Sequence, residues 1–355
     1  MEGDFESETL RTLSSKYADW HGYISLVVCA LGVPLNLINI TVLTRKHMQT
    51  PINCILTWLA VSDMLTMISY IPFAIHFYCE HNANTISAEK NSRKWMQFLV
   101  VYLNFSATTH TISIWLGVAL AIFRYRHIQS PAKGNLTRMR RLIRARLVVC
   151  AIYIGSIILM IPNYVSYNLI ETRDRNTTLV VFERWKLGTP DVKPVVLLNL
   201  VLYSVVAKLV PCILMIVYGG LLLRTLNHKL KVNRRRLSGN STLYNQRTLD
   251  TSRTTVMLLI VLVLFLITEL PQAILILLCI FLRNFFDNVY IPLGDTMDII
   301  ALINSGIDFV LYCSMSQEFR KTFLRVCCSI SRKSSGLSKN TIPFESLHTT
   351  QIRLK

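Results

Sequence analysis

Charged residues are scarce in this 355-residue chain, at 16%, whereas 52% of its residues are hydrophobic. Soluble domains carry about 25% charged residues, so the composition favours a membrane protein. What the chain has instead is seven long apolar segments, and roughly 20 apolar residues suffice to cross a bilayer. They cover residues 23–43, 54–78, 95–123, 147–167, 195–223, 256–282 and 290–313. The sequence therefore predicts an all-α membrane protein with a seven-transmembrane helix bundle.

Other absences narrow the class of protein. The loops reach only about 30 residues, so no soluble domain fits between the segments. No internal repeat supports a transporter built from inverted halves. Eight of the nine cysteines lie in apolar segments or on the predicted inner side, which argues against a disulfide framework. With no recognised metal-ligand cluster and no nucleophile–base pair, we predict neither an enzyme nor a cofactor.

Basic residues cluster between alternate segments and set the predicted orientation. With the N-terminus outside, the inner loops and tail hold 25 of the 38 lysines and arginines, and the outer segments hold 11. The net charge of +18 therefore reflects membrane topology and contact with anionic lipids, not nucleic-acid binding. We predict a multi-pass protein of the plasma membrane.

The predicted organisation has four parts. They are an extracellular N-terminus at 1–22, the bundle at 23–313, an amphipathic inner-surface helix at 314–328 and a disordered cytoplasmic tail at 329–355. The N-terminal part is too acidic and polar for a cleaved signal peptide.

The predicted amphipathic helix carries apolar residues at helical spacing, Phe319, Phe323 and Val326, with basic residues on its other side. Cys327 and Cys328 at its end are candidate palmitoylation sites.

The sixth segment has a carboxylate where a membrane helix rarely carries one. Glu269 lies at its centre, where a charge costs about 2.5–3.5 kcal/mol, and Pro271 kinks the helix two residues later. In the fifth segment, Lys208 lies near Pro211 at similar depth. We predict that Lys208 pairs with Glu269; the alternative is that Lys208 extends to an interface. A charge beside a kink favours a moving part over a passive anchor.

The third segment carries a polar helical face. Ser106, Thr109, His110 and Ser113 share that face at 3.6 residues per turn. Because hydrocarbon cannot satisfy these groups, the face must line a protein interior or a wet cavity.

Three short motifs then carry a resemblance. Leu-Ala-x-x-Asp ends at Asp63 in the second segment, Arg124-Tyr125 closes the third, and Asp308-x-x-x-Tyr312 lies in the seventh. Together with seven spans, they resemble the rhodopsin-like (class A) G-protein-coupled receptors. The resemblance implies that Arg124 is the hinge of G-protein coupling, with Tyr125 and Tyr312 in the activation machinery. A phenylalanine replaces the family's acid before the arginine, which removes one restraint on the inactive state.

The resemblance also implies an ion site. Asp63, Ser113, Asn304 and Asp308 match the positions around the family's sodium site. Two close carboxylates repel in a medium of low dielectric constant, so the pair either holds a cation or shares a proton. The alternative is a purely structural cluster.

Glu269 stands where most family members have a tryptophan that acts as a rotamer switch. Since helices five and six are neighbours in the family fold, Lys208 and Glu269 can form an ionic latch in its place. The alternative is a static buried ion pair.

On the predicted outer side, one residue departs from the family pattern and another is a candidate for glycosylation. Leu99 occupies the position of the usual disulfide cysteine, which implies that the loop after the fourth segment lacks that bond. Asn176, in Asn-Thr-Thr of this loop, is the predicted glycosylation site.

Longer stretches at 45–53, 268–272 and 311–320 are similar to invertebrate, nematode-type myosuppressin and FMRFamide-like peptide receptors. The implied ligand is an amidated neuropeptide ending in Arg-Phe-amide or similar. It is cationic and aromatic, and would require an acid and apolar walls.

Asp298 is therefore the predicted partner of the ligand arginine, with Asp295 at i−3 as a second candidate. The remaining ligand-binding candidates are Ser106, His110 and Gln272.

The resemblance implies coupling to a heterotrimeric G protein, of inhibitory type in this subfamily, and interaction with receptor kinases and arrestin. Two alternatives stay open, a chemosensory receptor for a small molecule on the same fold and a channel or transporter. The basic run at 138–146 fits contact with lipid head groups or with a G protein.

Overall fold

The computed structural model describes residues 8–83, 85–130, 134–174, 177–182, 194–236, 242–282 and 285–334. Seven of its helices are long and apolar enough to cross a membrane, which confirms the predicted seven-helix bundle. The α-helices are Glu8–Leu43, Pro51–Ala74, Arg93–Gln129, Asn135–Ser166, Pro194–Val201, Val210–Arg236, Thr242–Phe281, Ile291–Met315 and Gln317–Ser334. Wider π-helical segments continue three spans, at Ile75–Glu80, Leu202–Leu209 and Phe286–Tyr290.

Local chemistry explains where the second span begins. Pro51 occupies the first turn, where its missing N–H is not needed, and Thr50 caps the helix by accepting from the Asn53 backbone N–H at 3.1 Å. Pro72 lies near the other end, and a π segment follows it at Ile75–Glu80. Such wide turns often occur at functional sites.

The third span is the centre of the bundle. It packs against the second span, the fourth span and the helix Val210–Arg236, while the first span packs against the second and the seventh. Ile114, Leu116 and Leu120 are fully buried in the core. Thr109, Thr111 and Ser113 of the same span are buried as well, so these polar side chains lie inside the bundle and not against lipid.

The first helix is longer than the apolar pattern predicts. It begins at Glu8, so residues 8–22, predicted as part of a polar extracellular tail, are helical. Ala18, His21 and Gly22 are buried, and His21 Nε2 lies 2.6 Å from Tyr70 Oη of the second span. Because these residues are small or polar, a hydropathy pattern does not mark them as part of the helix, although they are buried.

The inner ends of the fifth and sixth spans also run further than predicted. Val210–Arg236 and Thr242–Phe281 extend into residues 224–253, which the sequence suggested as a loop. Lysine, arginine and leucine are good helix formers, so a basic stretch continues the helix beyond the apolar segment.

A β-hairpin follows the fourth span and was not predicted. Strands β1, Leu169–Asp174, and β2, Thr177–Phe182, pair antiparallel with Leu169 opposite Phe182. The Val180 N–H donates to Asn91 O at 3.2 Å, and its side chain packs with Phe77 and Met96. All nine cysteines lie in the described part and are free, so packing and hydrogen bonds hold the hairpin.

The C-terminal helix spans Gln317–Ser334, where the sequence predicted 314–328. Phe319 is buried against Tyr312, and Thr322 Oγ1 lies 2.8 Å from His47 Nε2. Cys327 and Cys328 are exposed, as lipid attachment would require. The position of this helix on the membrane remains a prediction.

Candidate ligand site and ionic centre

An ionic centre joins the third, fifth and sixth spans. Lys208 Nζ donates to Glu269 Oε2 at 2.5 Å, and His110 Nε2 lies 3.0 Å from Glu269 Oε1. The lysine and glutamate side chains are 0% and 1% exposed. The structure thus contains the predicted Lys208–Glu269 pair and adds His110, which the sequence suggested only as a ligand contact.

A fourth side chain completes the centre. Lys208 Nζ also donates to Gln272 Oε1 at 2.8 Å, one turn beyond Glu269 on the same helix. The π segment Leu202–Leu209 carries Lys208 just before Pro211, and Pro271 lies inside the sixth-span helix. Buried ions need such partners, because removing one from a buried pair costs about 3–5 kcal/mol.

A cavity of about 340 Å³ opens beside this centre. Four predicted ligand contacts line it: Ser106, His110, Gln272 and Asp298. Since His110 and Gln272 also touch the ionic centre, a molecule in the cavity would contact the groups that hold Glu269 and Lys208.

Asp295 does not line the cavity with Asp298, although the two lie on adjacent turns. Tyr78 donates to Asp295 Oδ1 at 2.6 Å, which directs this carboxylate toward the second span. Asp295 therefore stays the second candidate for the ligand arginine, with one carboxylate oxygen already bound by Tyr78.

The walls of the cavity are aromatic, which the sequence analysis missed. Tyr70, Tyr102, Tyr203, Phe286 and Tyr290 line it. These residues come from the second, third, fifth and seventh spans, and only the folded bundle brings them together.

A chain of amides forms another wall. Asn199 Nδ2 donates to Asn163 Oδ1 at 2.8 Å, and Asn163 Nδ2 donates to Asn104 Oδ1 at 2.9 Å. Asn163 and Asn199 line the cavity. An isolated amide in an apolar segment is a signal for such interhelical bonding, and it could have indicated this wall.

Two hydroxyl groups contact Asp63 of the predicted ion site. Ser113 Oγ donates to Asp63 Oδ1 at 2.8 Å, and Asp63 is only 3% exposed. Ser305 donates to the same oxygen at 3.4 Å, a contact expected of its neighbour Asn304. The Asp308 side chain lies outside the described residues, so the second carboxylate stays a prediction.

At the predicted inner end, Arg124 is buried and contacts the sixth span. Its Nε and Nη2 donate to Thr255 Oγ1 at 3.2 and 2.7 Å. The adjacent Tyr125 accepts from Gln129 Nε2 at 2.6 Å, and its ring centroid lies 6.0 Å from that of Tyr218. These contacts link the third span to the fifth and sixth. Asn176, the predicted glycan site, lies outside the described residues.

Comparison with known proteins gives consistent matches over most of the chain. A family model described as serpentine type 7TM GPCR chemoreceptor Srw matches residues 23–329. The G-protein coupled receptor dmsr-1 of Caenorhabditis elegans is 30% identical over 95% of this chain and 74% of its own length. The sex peptide receptor of Drosophila melanogaster is 26% identical over 86% of this chain and 72% of its own.

The fold has a counterpart among solved structures. The crystal structure of squid rhodopsin superimposes with a TM-score of 0.65, covers 93% of each chain and shares 15% sequence identity. At this identity the similarity establishes the helical architecture alone.

Proposed function

The chain belongs to the Srw family of rhodopsin-like G-protein-coupled receptors, and from this premise we propose that it receives an amidated neuropeptide of the myosuppressin or FMRFamide-like kind. It is a plasma-membrane receptor, not an enzyme. The observation that carries the proposal is the Asp298 carboxylate in a cavity walled by tyrosine and phenylalanine.

The shape and chemistry of the cavity support a peptide terminus as the ligand. A volume of about 340 Å³ is at the small end of ligand pockets, which measure about 300–1,000 Å³. It suits the last residues of a peptide better than a whole peptide. Arginine would pair with Asp298 and an aromatic ring would pack on the tyrosine walls.

Amidation of the peptide terminus fits the same cavity. A free C-terminal carboxylate would enter a site that already holds Asp298 and lies beside Glu269. Amidation removes that negative charge and adds N–H donors. A relative named as the sex peptide receptor is consistent with a peptide ligand.

The ionic centre supports a mechanism of activation. A ligand that presses on His110 or Gln272 changes the contacts of Glu269 and Lys208 directly. Rearrangement of this latch would shift the sixth span, whose Thr255 holds Arg124 near its other end. The latch thereby takes the role of an aromatic toggle.

The partners on the inner side follow from the family. We propose coupling to an inhibitory G protein and regulation by receptor kinases and arrestin, with acyl chains on the exposed Cys327 and Cys328. A glycan at Asn176 and a cation at Asp63 complete the proposal.

A reporter of G-protein activation in transfected cells tests the ligand. Cells are exposed to a panel of peptides ending in Arg-Phe-amide and to the same peptides as free acids. We expect responses to the amidated forms, and about a tenfold to hundredfold loss of potency in Asp298→Asn, from about 1.5–3 kcal/mol for a charged hydrogen bond.

Asp287→Asn is the matched control, because Asp287 is an exposed acid outside the cavity. Its potency should equal that of the wild type at equal surface expression. Equal potency of Asp298→Asn and Asp287→Asn would contradict the assignment of Asp298.

A chemoreceptor for a small molecule is the second candidate, favoured by the description of the matching family model and the small cavity. A response to small cationic aromatic compounds, with none to any peptide in the panel, would support it.

A further inference from the structure

A cluster of two histidines and a glutamate lies outside the ligand cavity, at the predicted outer end of the second span. His76 and Glu80 belong to the π segment Ile75–Glu80, and His81 follows it directly. One ligand atom from each residue lies within 4.8 Å of the other two. The sequence analysis recognised no metal cluster here, because the π turn, not the α-helical period, brings residues five apart together.

The hydrogen bonds of His76 are unusual for an imidazole. Its Nε2 lies 3.3 Å from the Lys90 backbone oxygen, and its Nδ1 lies 3.2 Å from Glu80 Oε2. Both partners are acceptors, whereas a neutral imidazole has one N–H only. If Nε2–H donates to the carbonyl, Nδ1 carries either a second proton or a lone pair that can bind a metal ion beside the Glu80 carboxylate.

His81 repeats the same pattern. Its Nδ1 lies 3.0 Å from the His76 backbone oxygen, so Nδ1–H donates and Nε2 carries the lone pair. That Nε2 lies 3.9 Å from Glu89 Oε2. Histidines that bind metal donate their other N–H to a carbonyl or carboxylate in this way, which fixes the ring orientation.

The surroundings hold the first ring in place. The Trp95 ring stacks on His76 with centroids 3.7 Å apart and an interplanar angle of 8°. Lys90, the nearby cation of the loop, turns its ammonium to the backbone oxygens of Asn82 and Ala83 at 2.7 and 2.9 Å. The ring is therefore preorganised, and the ammonium is engaged with backbone oxygens.

We propose that His76, Glu80 and His81 form a Zn²⁺ site on the predicted outer face of the receptor. Two imidazoles and a carboxylate are ligands that Zn²⁺ prefers, and a tetrahedral ion takes a fourth from the exposed Glu89 or from water. Binding deprotonated imidazole makes the affinity fall at acidic pH.

The site connects to the β-hairpin through the loop that follows it. The loop that carries Lys90 continues to Asn91, whose backbone oxygen accepts from the Val180 N–H of strand β2 at 3.2 Å. When Glu89 supplies the fourth ligand, Zn²⁺ ties the end of the second span to this loop. We therefore expect zinc to stiffen the contact between this loop and the hairpin, whatever ligand the cavity takes.

Zinc binding by the purified full-length receptor in detergent tests the site without any peptide. ZnCl₂ is titrated in competition with a chromogenic chelator, and thermal unfolding is followed with and without the metal. We expect zinc to raise the melting temperature of the wild type, with reversal by a chelator, because a ligand that binds only the folded state stabilises it.

The informative variants are Glu80→Gln and His81→Ala, since the buried His76 could disturb folding. Each should weaken zinc binding by about tenfold or more, the range found when metal-site partners are lost. Glu171→Gln is the matched control, because the Glu171 side chain is 58% exposed, against 56% for Glu80, and pairs with Arg93.

Two results would overturn the proposal. One is a wild type that binds no zinc, which would mean that a proton on His76 suffices. The other is equal zinc affinity in the wild type and both variants. Normal melting temperatures without metal show that the variants are folded.

Discussion

Histidine and glutamate meet at two places in the described part of this receptor, and the places differ in what supplies the positive charge. In the middle of the bundle, Glu269 contacts His110 and also Lys208, with both charged ends buried. At the predicted outer end, Glu80 contacts His76 and is 56% exposed. A buried carboxylate needs a positively charged partner from the protein itself, whereas an exposed carboxylate can bind a cation from solution. The first arrangement suits an internal latch and the second suits a sensor of dissolved metal.

Removal of the internal cation should have the largest effect. Lys208→Met leaves the buried Glu269 with only His110 and Thr268 among its described side-chain contacts, so we expect a loss of about 3–5 kcal/mol in the free energy of unfolding. Thermal unfolding of the purified receptor measures it. Lys90→Met is the control, since that ammonium contacts backbone oxygens and its loss strands no described carboxylate. A loss no larger than in the control would mean that Glu269 is not a buried anion.

Disruption of the neutral amide chain should have the second-largest effect on the free energy of unfolding. Asn163→Ala removes the central member of the amide chain and leaves Asn104 and Asn199 without these bonds. We expect a loss of about 1–3 kcal/mol, the cost of unsatisfied buried amides. If this loss exceeded that of Lys208→Met, hydrogen bonds between amides would contribute more to the stability of the residues around the cavity than the buried ion pair does.

The outer carboxylate should have the smallest effect on stability. Glu80→Gln, measured with a chelator present, should change the free energy of unfolding by about 0–1 kcal/mol, as for exposed ion pairs. A loss above about 2 kcal/mol would mean that the cluster is a structural ion pair and would end the contrast with Glu269.

Hydropathy and single charged residues in apolar segments predicted the features of the fold that the membrane environment determines. The seven spans follow from segment length, and the Lys208–Glu269 contact follows from two costly charges at similar depth. The polar face of the third span also lies inside, where Thr109 Oγ1 is 2.7 Å from Thr66 Oγ1 and Ser113 meets Asp63.

Features that depend on packing between distant segments could not be predicted. The His110–Glu269 contact requires the relative rotation of two helices, and the choice of Ser305 over Asn304 at Asp63 is a difference of one position. The cluster of His76, Glu80 and His81 depends on a local π turn, which leaves no periodic signal. The β-branched run in strand β2 is a signal from which the hairpin could have been predicted.

The latch itself is tested most directly by charge reversal. Basal G-protein signalling is measured for Lys208→Glu, Glu269→Lys and the double variant, at equal surface expression and without ligand. We predict that each single reversal raises basal signalling and that the double variant returns it toward the wild-type level. Wild-type basal signalling in both single variants, with normal surface expression, would contradict this prediction and leave Glu269 as a static part of the core.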